Sequence, residues 1–71
     1  MKVTVTKVRR VHHATAWSEG VNEKGHVVSF ALPWSTMTGI AGDLEHGEYV
    51  TIHVPDDAIV RVQNPRMRRA A

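Results

Sequence analysis

The chain contains no cysteine. No disulfide can staple it, and no thiolate is available as a nucleophile or metal ligand. That absence fits a reducing compartment, and a cytoplasmic location is the expectation. Aromatic residues are scarce: one phenylalanine, one tyrosine and two tryptophans in 71 residues. A chain this short buries a smaller share of its surface than a longer one, so its core must be economical. Long apolar runs are missing too. The segment Met1-Lys2-Val3-Thr4-Val5-Thr6-Lys7 alternates apolar and polar residues, unlike the continuous apolar stretch of a signal peptide. Nothing approaches the ~20 apolar residues of a membrane-spanning helix, so no membrane partner is expected.

Catalytic signatures are absent as well. The sequence has no Gly-x-Ser-x-Gly elbow, and its glycines are not followed by the Lys-Ser/Thr of a phosphate loop. The reading is non-enzymatic, with no cofactor. Five histidines invite a metal interpretation: His12, His13, His26, His46 and His53. His12 and His13 are adjacent and point to opposite faces of a strand. No pair has the spacing of two on a strand or four on a helix that would chelate one ion. No metal site is expected.

What is present is a pattern of strands. From Lys2 to Glu19 there is no Gly, Pro, Asn or Asp, and Val and Thr recur. A straight strand of twenty residues would span ~65 Å, far beyond the size of so small a globule. A turn is therefore required, expected at Arg9-Arg10. Val3 and Val5 are odd-numbered and Val8 even, a change of phase that a β-bulge near Lys7 explains. Asn22-Glu23-Lys24-Gly25 has turn chemistry. A four-residue loop there pairs Trp17 with Phe30 and places Trp17, Val28, Phe30 and Leu32 on one core face. The opposite face then carries Ala14, Ala16, Ala31 and Val27, a small-residue surface suited to close packing against another sheet or a second copy.

Pro33 ends that strand. Trp34, Met37, Ile40, Ala41 and Leu44 follow at helical spacing, predicting one amphipathic helix from about residue 34 to 45, stopped by Gly47. Val50, Ile52 and Val54 alternate with polar residues, as do Ala58, Val60 and Val62. A three-residue loop, Pro55 to Asp57, predicts a hairpin pairing Val54 with Ala58, Ile52 with Val60 and Val50 with Val62, with Asp57 left-handed. The predicted core is Trp17, Val28, Phe30, Leu32, Met37, Ile40, Leu44, Val50, Ile52, Val60 and Val62.

The fold class expected is mainly β: a small five-stranded, barrel-like domain of order β-β-β-α-β-β over residues 1–64. An oligonucleotide-binding (OB-like) barrel is the first choice; an SH3-like barrel, or a three-to-five-stranded sheet covered by a helix, is the alternative. Residues 65–71 read as a basic, flexible C-terminal tail. Leu32-Pro33, Leu44, Gly47-Glu48 and Asp57-Ala58-Ile59-Val60 faintly resemble the swapped-hairpin transition-state regulators, in which a Leu-Pro precedes a helix and a Gly-acid pair precedes a final hairpin. The landmarks stand further apart here and the basic residue expected on the helix is missing, so no family is assigned.

Charge is segregated along the chain. Lys2, Lys7, Arg9 and Arg10 give the first 13 residues +4; residues 14–60 sum to −6; Arg61, Arg66, Arg68 and Arg69 give the last eleven +4. Basic ends invite an anionic partner. The candidate nucleic-acid-binding residues are Lys2, Lys7, Arg9, Arg10, Arg61, Arg66, Arg68 and Arg69, with Tyr49 as a stacking side chain. The functional expectation is a binding module that holds nucleic acid electrostatically. The alternative is a protein-binding or self-associating module, such as a phage or bacterial accessory protein, with a homo-oligomer as one form.

Overall fold

A computed structural model describes residues 1–64. Its elements are β1 (Lys2–Arg10), β2 (Thr15–Asn22), β3 (Val27–Pro33), α1 (Trp34–Glu45), β4 (Val50–His53), a single 3-10 turn (Asp56–Ala58) and β5 (Ile59–Gln63). All five strands join one sheet in the order β4-β1-β2-β3-β5, and every neighbouring pair is antiparallel. The chain is mainly β with one short helix, as its alternation implied. The sheet does not close, because β4 and β5 are its two edges.

The expected bulge is present. β1 pairs Val5 with Gly20 and then Lys7 with Glu19, leaving Thr6 as the extra residue. The first turn comes later than expected: β1 continues through Arg10, and residues 11–14 make the turn. Arg10 holds that turn from the side. Its Nε donates to the His13 carbonyl at 3.1 Å, a second guanidinium nitrogen donates to the same oxygen, and the guanidinium lies 5.3 Å from the centre of the Trp34 ring. The Trp34 N–H, unpartnered within its own helix, donates to the Ala14 carbonyl at 2.7 Å. The β1–β2 turn and the start of α1 are thus tied together. Replacing Arg10 by Ala is predicted to cost ~1 kcal/mol, from a cation–π contact and exposed hydrogen bonds. Arg10→Lys restores only part, since it keeps the charge and loses the fork. An unchanged urea midpoint in Arg10→Ala contradicts this.

The β2–β3 hairpin corrects the sequence reading. Its loop has three residues, Glu23 to Gly25, closed by Asn22. The Asn22 N–H donates to the His26 carbonyl at 3.0 Å, and Gly25 N–H returns to the Asn22 carbonyl at 3.0 Å. The Asn22 side-chain oxygen accepts from the Lys24 and His26 N–H groups, both at 2.9 Å. Gly25 has φ +79°, the left-handed conformation that completes this loop type. The pairing that results is Val21 with Val27, Glu19 with Ser29 and Trp17 with Ala31. This is one residue away from the expected register, and a slip of one moves every side chain of a strand to the other face. Ala16, Ser18 and Gly20 therefore face the core, and Trp17 does not. The small-residue surface of Ala14, Ala16, Ala31 and Val27 does not exist as a unit: Ala16 is buried, Ala14 is in the exposed turn, and Val27 and Ala31 share the opposite face with Trp17.

The helix matches the expected limits. Met37 is buried, and Trp34, Ile40 and Leu44 pack on the core around it. Gly47, at φ +80°, ends the helix, with Glu48 N–H bonded to the Asp43 carbonyl and Gly47 N–H to that of Leu44. Twelve residues of helix span ~18 Å, enough to cross the sheet from β3 back to β4 at the far edge.

The second predicted hairpin does not form. β4 pairs with β1, and β5 pairs with β3 at the opposite edge. Asp56 to Ala58 make a 3-10 turn, and among the described residues only glycines have positive φ, so Asp57 is not left-handed. The final hairpin of the regulator pattern is absent for the same reason. Both segments carry one apolar face, and that property fits either free edge of the β1–β2–β3 meander as well as it fits a mutual pairing. The β5 register shifts between Ser29 and Phe30, so Ile59 stands opposite Phe30 and packs on the core. Val60 and Val62, expected inside, are 57% and 45% exposed.

Val54 still belongs to the β4 edge, exchanging hydrogen bonds with Met1 at 2.7 and 2.8 Å. From Val54 to Ile59 the chain has five steps, a reach of at most ~18 Å. A flat five-stranded sheet is ~19 Å wide before any offset along the strands. The sheet is therefore not flat, and the crossing segment buries Val54 and packs Ala58 against the core. The fully buried core is Val3, Val5, Ala16, Val28, Phe30, Met37 and Val54.

Candidate nucleic-acid interface

With α1 on one side, no element among the described residues covers the other face of the sheet. Strand alternation and the two bulges decide which side chains stand there. From β1 come Lys2, Thr4, Lys7 and Arg9; from β2, Thr15, Trp17, Glu19 and Val21. β3 supplies Val27, Ser29 and Ala31, and β4 and β5 supply Thr51, His53, Arg61 and Gln63. Cross-strand rows follow from the register. Arg9 stands opposite Trp17, and Trp17 opposite Ala31. In the next row Lys7, Glu19, Ser29 and Arg61 follow one another across four strands. At the β4 edge the Thr4 and Thr51 hydroxyls are 2.9 Å apart.

The candidate residues distribute unevenly over this frame. Lys2, Lys7 and Arg9 are exposed and line one side of β1. Arg61 is exposed on the same face, at the far edge. Arg9, Arg10 and Arg61 do not form the shared patch that neighbouring first and last strands would give, because β2 and β3 lie between β1 and β5. Arg10 also leaves the group: it pairs with Ala16 on the helix side and spends its guanidinium on the turn and on Trp34. Tyr49 immediately precedes β4, in phase with Thr51 and His53, and is 70% exposed. Arg66, Arg68 and Arg69 lie outside the described residues.

No family model, no curated protein and no solved structure matches the chain.

The residue that sequence reasoning misplaced is Trp17. It is half-buried, yet it is not among the side chains packed on the core, and neither are its face-mates Val21, Val27 and Ala31. The signal that locates it was present: a glycine as the third residue of the loop after Asn22 specifies a three-residue turn, and that turn sets the register. Among the described residues no three His, Asp or Glu side chains gather where a metal ion would sit. A cleft between the start of β1 and the β2–β3 loop is lined by Met1, Asn22, His26 and Val62 with Lys2, Glu23 and Lys24, a mixed set without a nucleophile and base in contact. No described helix is long and apolar enough to cross a membrane.

Proposed function

We propose that this chain is a non-enzymatic binding module that holds nucleic acid electrostatically on the uncovered face of its sheet. One observation carries the reading. That face carries Lys2, Lys7 and Arg9 along β1 and Arg61 at the far edge, against a single carboxylate, Glu19. The other acids stand elsewhere: Glu23 in the hairpin turn, Asp43, Glu45 and Glu48 around the helix end, Asp56 and Asp57 in the 3-10 turn. A net charge of only +2 thus conceals a face on which positive charge dominates. The fold reading that accompanies it is a small barrel-like sheet, OB-like first and SH3-like as the alternative. Its support is the β1–β2–β3 meander, the helix after the third strand and the short crossing between the two edges.

Titration of mixed single- and double-stranded oligonucleotides at rising salt tests this. Affinity is expected to fall with a log–log slope of ~0.7–0.9 per phosphate contact. Replacing Lys7 and Arg9 together by Ala should weaken binding to all sequences alike and lower the slope by ~1–2. No binding at ~50 mM salt, where screening is weak, removes the reading.

A self-associating module is the second reading, favoured by the edge strand β5, which carries exposed Val60 and Val62 and pairs on one side only among the described residues. Light scattering separates the two: a dimer that dissociates on Val60→Lys, together with no oligonucleotide binding, selects it.

A further inference from the structure

We infer that the uncovered face takes single-stranded nucleic acid, with Trp17 stacking on a base and Lys7 and Arg9 holding the adjacent phosphates. The inference rests on the nucleic-acid reading above and adds to it the strandedness of the partner and a specific contact.

Trp17 is the observation that electrostatics alone does not explain. A tryptophan buries up to ~250 Å² when packed, and a small chain gains by placing it inside. Here β2 turns Ala16, Ser18 and Gly20 inward and Trp17 outward. Its directly opposed neighbours are Arg9 and Ala31. Opposed Cβ atoms on a sheet are ~4.5–5.5 Å apart, so Trp17 is flanked by a cation-bearing side chain on β1 and by a methyl group on β3. The result is a partly exposed indole on the face away from α1, with a cation on the neighbouring strand and no packing against the core among the described residues.

The partner's form follows from the same geometry. An indole lying on a sheet stacks only on a base that has left its own stack, and duplex bases are already stacked. Glu19 stands between Lys7 and Ser29 in the next row and repels a phosphate track across the centre of the face. The cations that remain in line are Lys2, Lys7 and Arg9, all on the same side of β1. Phosphates running along β1 place their bases over β2, where Trp17 is. The stack on Trp17 is itself sequence-tolerant, because every base has a π-face.

The test uses the full chain carrying Trp34→Phe, so that Trp17 is the sole indole, titrated with a ~15-nucleotide oligothymidylate and a duplex of equal length at ~50 mM salt. Quenching of Trp17 emission by the single strand is expected. Trp17→Ala should weaken single-strand affinity by about 5- to 150-fold, the usual worth of one stacked base, and leave duplex affinity within about twofold. Trp17→Phe should retain part of the affinity, which guards against a variant that merely misfolds. Binding with unchanged emission and no effect of Trp17→Ala overturns the stacking contact and leaves the electrostatic reading standing. Absence of binding to either nucleic acid overturns both.

Discussion

Phe30→Ala is expected to lower stability by ~3–5 kcal/mol, the range for truncating a fully enclosed phenylalanine. Phe30 is the largest side chain that is fully buried. It stands opposite Ser18 on β2 and Ile59 on β5, so its ring joins the meander to the edge strand. Cavity formation here is made worse by Ser18, whose buried hydroxyl has no hydrogen-bond partner among the described residues. A void beside it is partly polar and admits water rather than collapsing dry. At ~0.05–0.15 kcal/mol per residue, a chain of this length has ~4–11 kcal/mol in total, so the loss consumes much or all of it. Phe30→Leu keeps most of the volume and should cost only ~1–2 kcal/mol. Urea denaturation followed by circular dichroism reads both; a shift below ~1 kcal/mol for Phe30→Ala would mean the ring does not fill the core.

Gly20→Ala should be destabilising by ~3 kcal/mol or more, at or above the upper range for overpacking. Gly20 is buried on β2 between Val5 and Val28. A methyl group there would overlap the Thr4 carbonyl oxygen and the Val3 side chain. The first of these is backbone, so relief requires β1 and β2 to move apart just before the Thr6 bulge. The control is Gly39→Ala in α1, where a Cβ meets nothing within 4 Å and the helix gains ~1 kcal/mol in propensity. The same chemical change is thus expected to act in opposite directions at two positions. Equal melting temperatures for the two variants would refute the close strand approach.

The elements of this protein were written locally, and their partners were not. The helix from Trp34 to Glu45 announces itself through Pro33, the spacing of Met37, Ile40 and Leu44, and Gly47, all of which act within a few residues of one another. The bulge at Thr6 shows as a change of phase between Val5 and Val8. The face of Trp17 was legible in principle, because Gly25 in the third loop position dictates the turn and the turn dictates the register. Reading the turn as four residues moved the only surface-facing aromatic of β2 into the core. The burial of Val54 had a weaker signal, since an apolar residue next to a proline fits a strand end as well as a crossing.

Sequence alone determined the number of strands, the helix, the β-rich class and the segregation of charge along the chain. These depend on φ/ψ preference, apolar period and turn chemistry, which are properties of neighbours in sequence. Only the tertiary structure decided that β4 and β5 take opposite edges, that Arg9 and Arg10 part company, and that Lys2, Lys7, Arg9 and Arg61 share a face with Trp17. The physical reason is that an amphipathic strand specifies which of its faces is buried but not which edge it joins, because backbone hydrogen bonds are the same for every partner. That choice falls to the packing of the whole core: α1 spans the sheet, a five-residue crossing has to bridge its edges, and the arrangement that buries Val3, Val5, Phe30, Met37 and Val54 together is the one adopted.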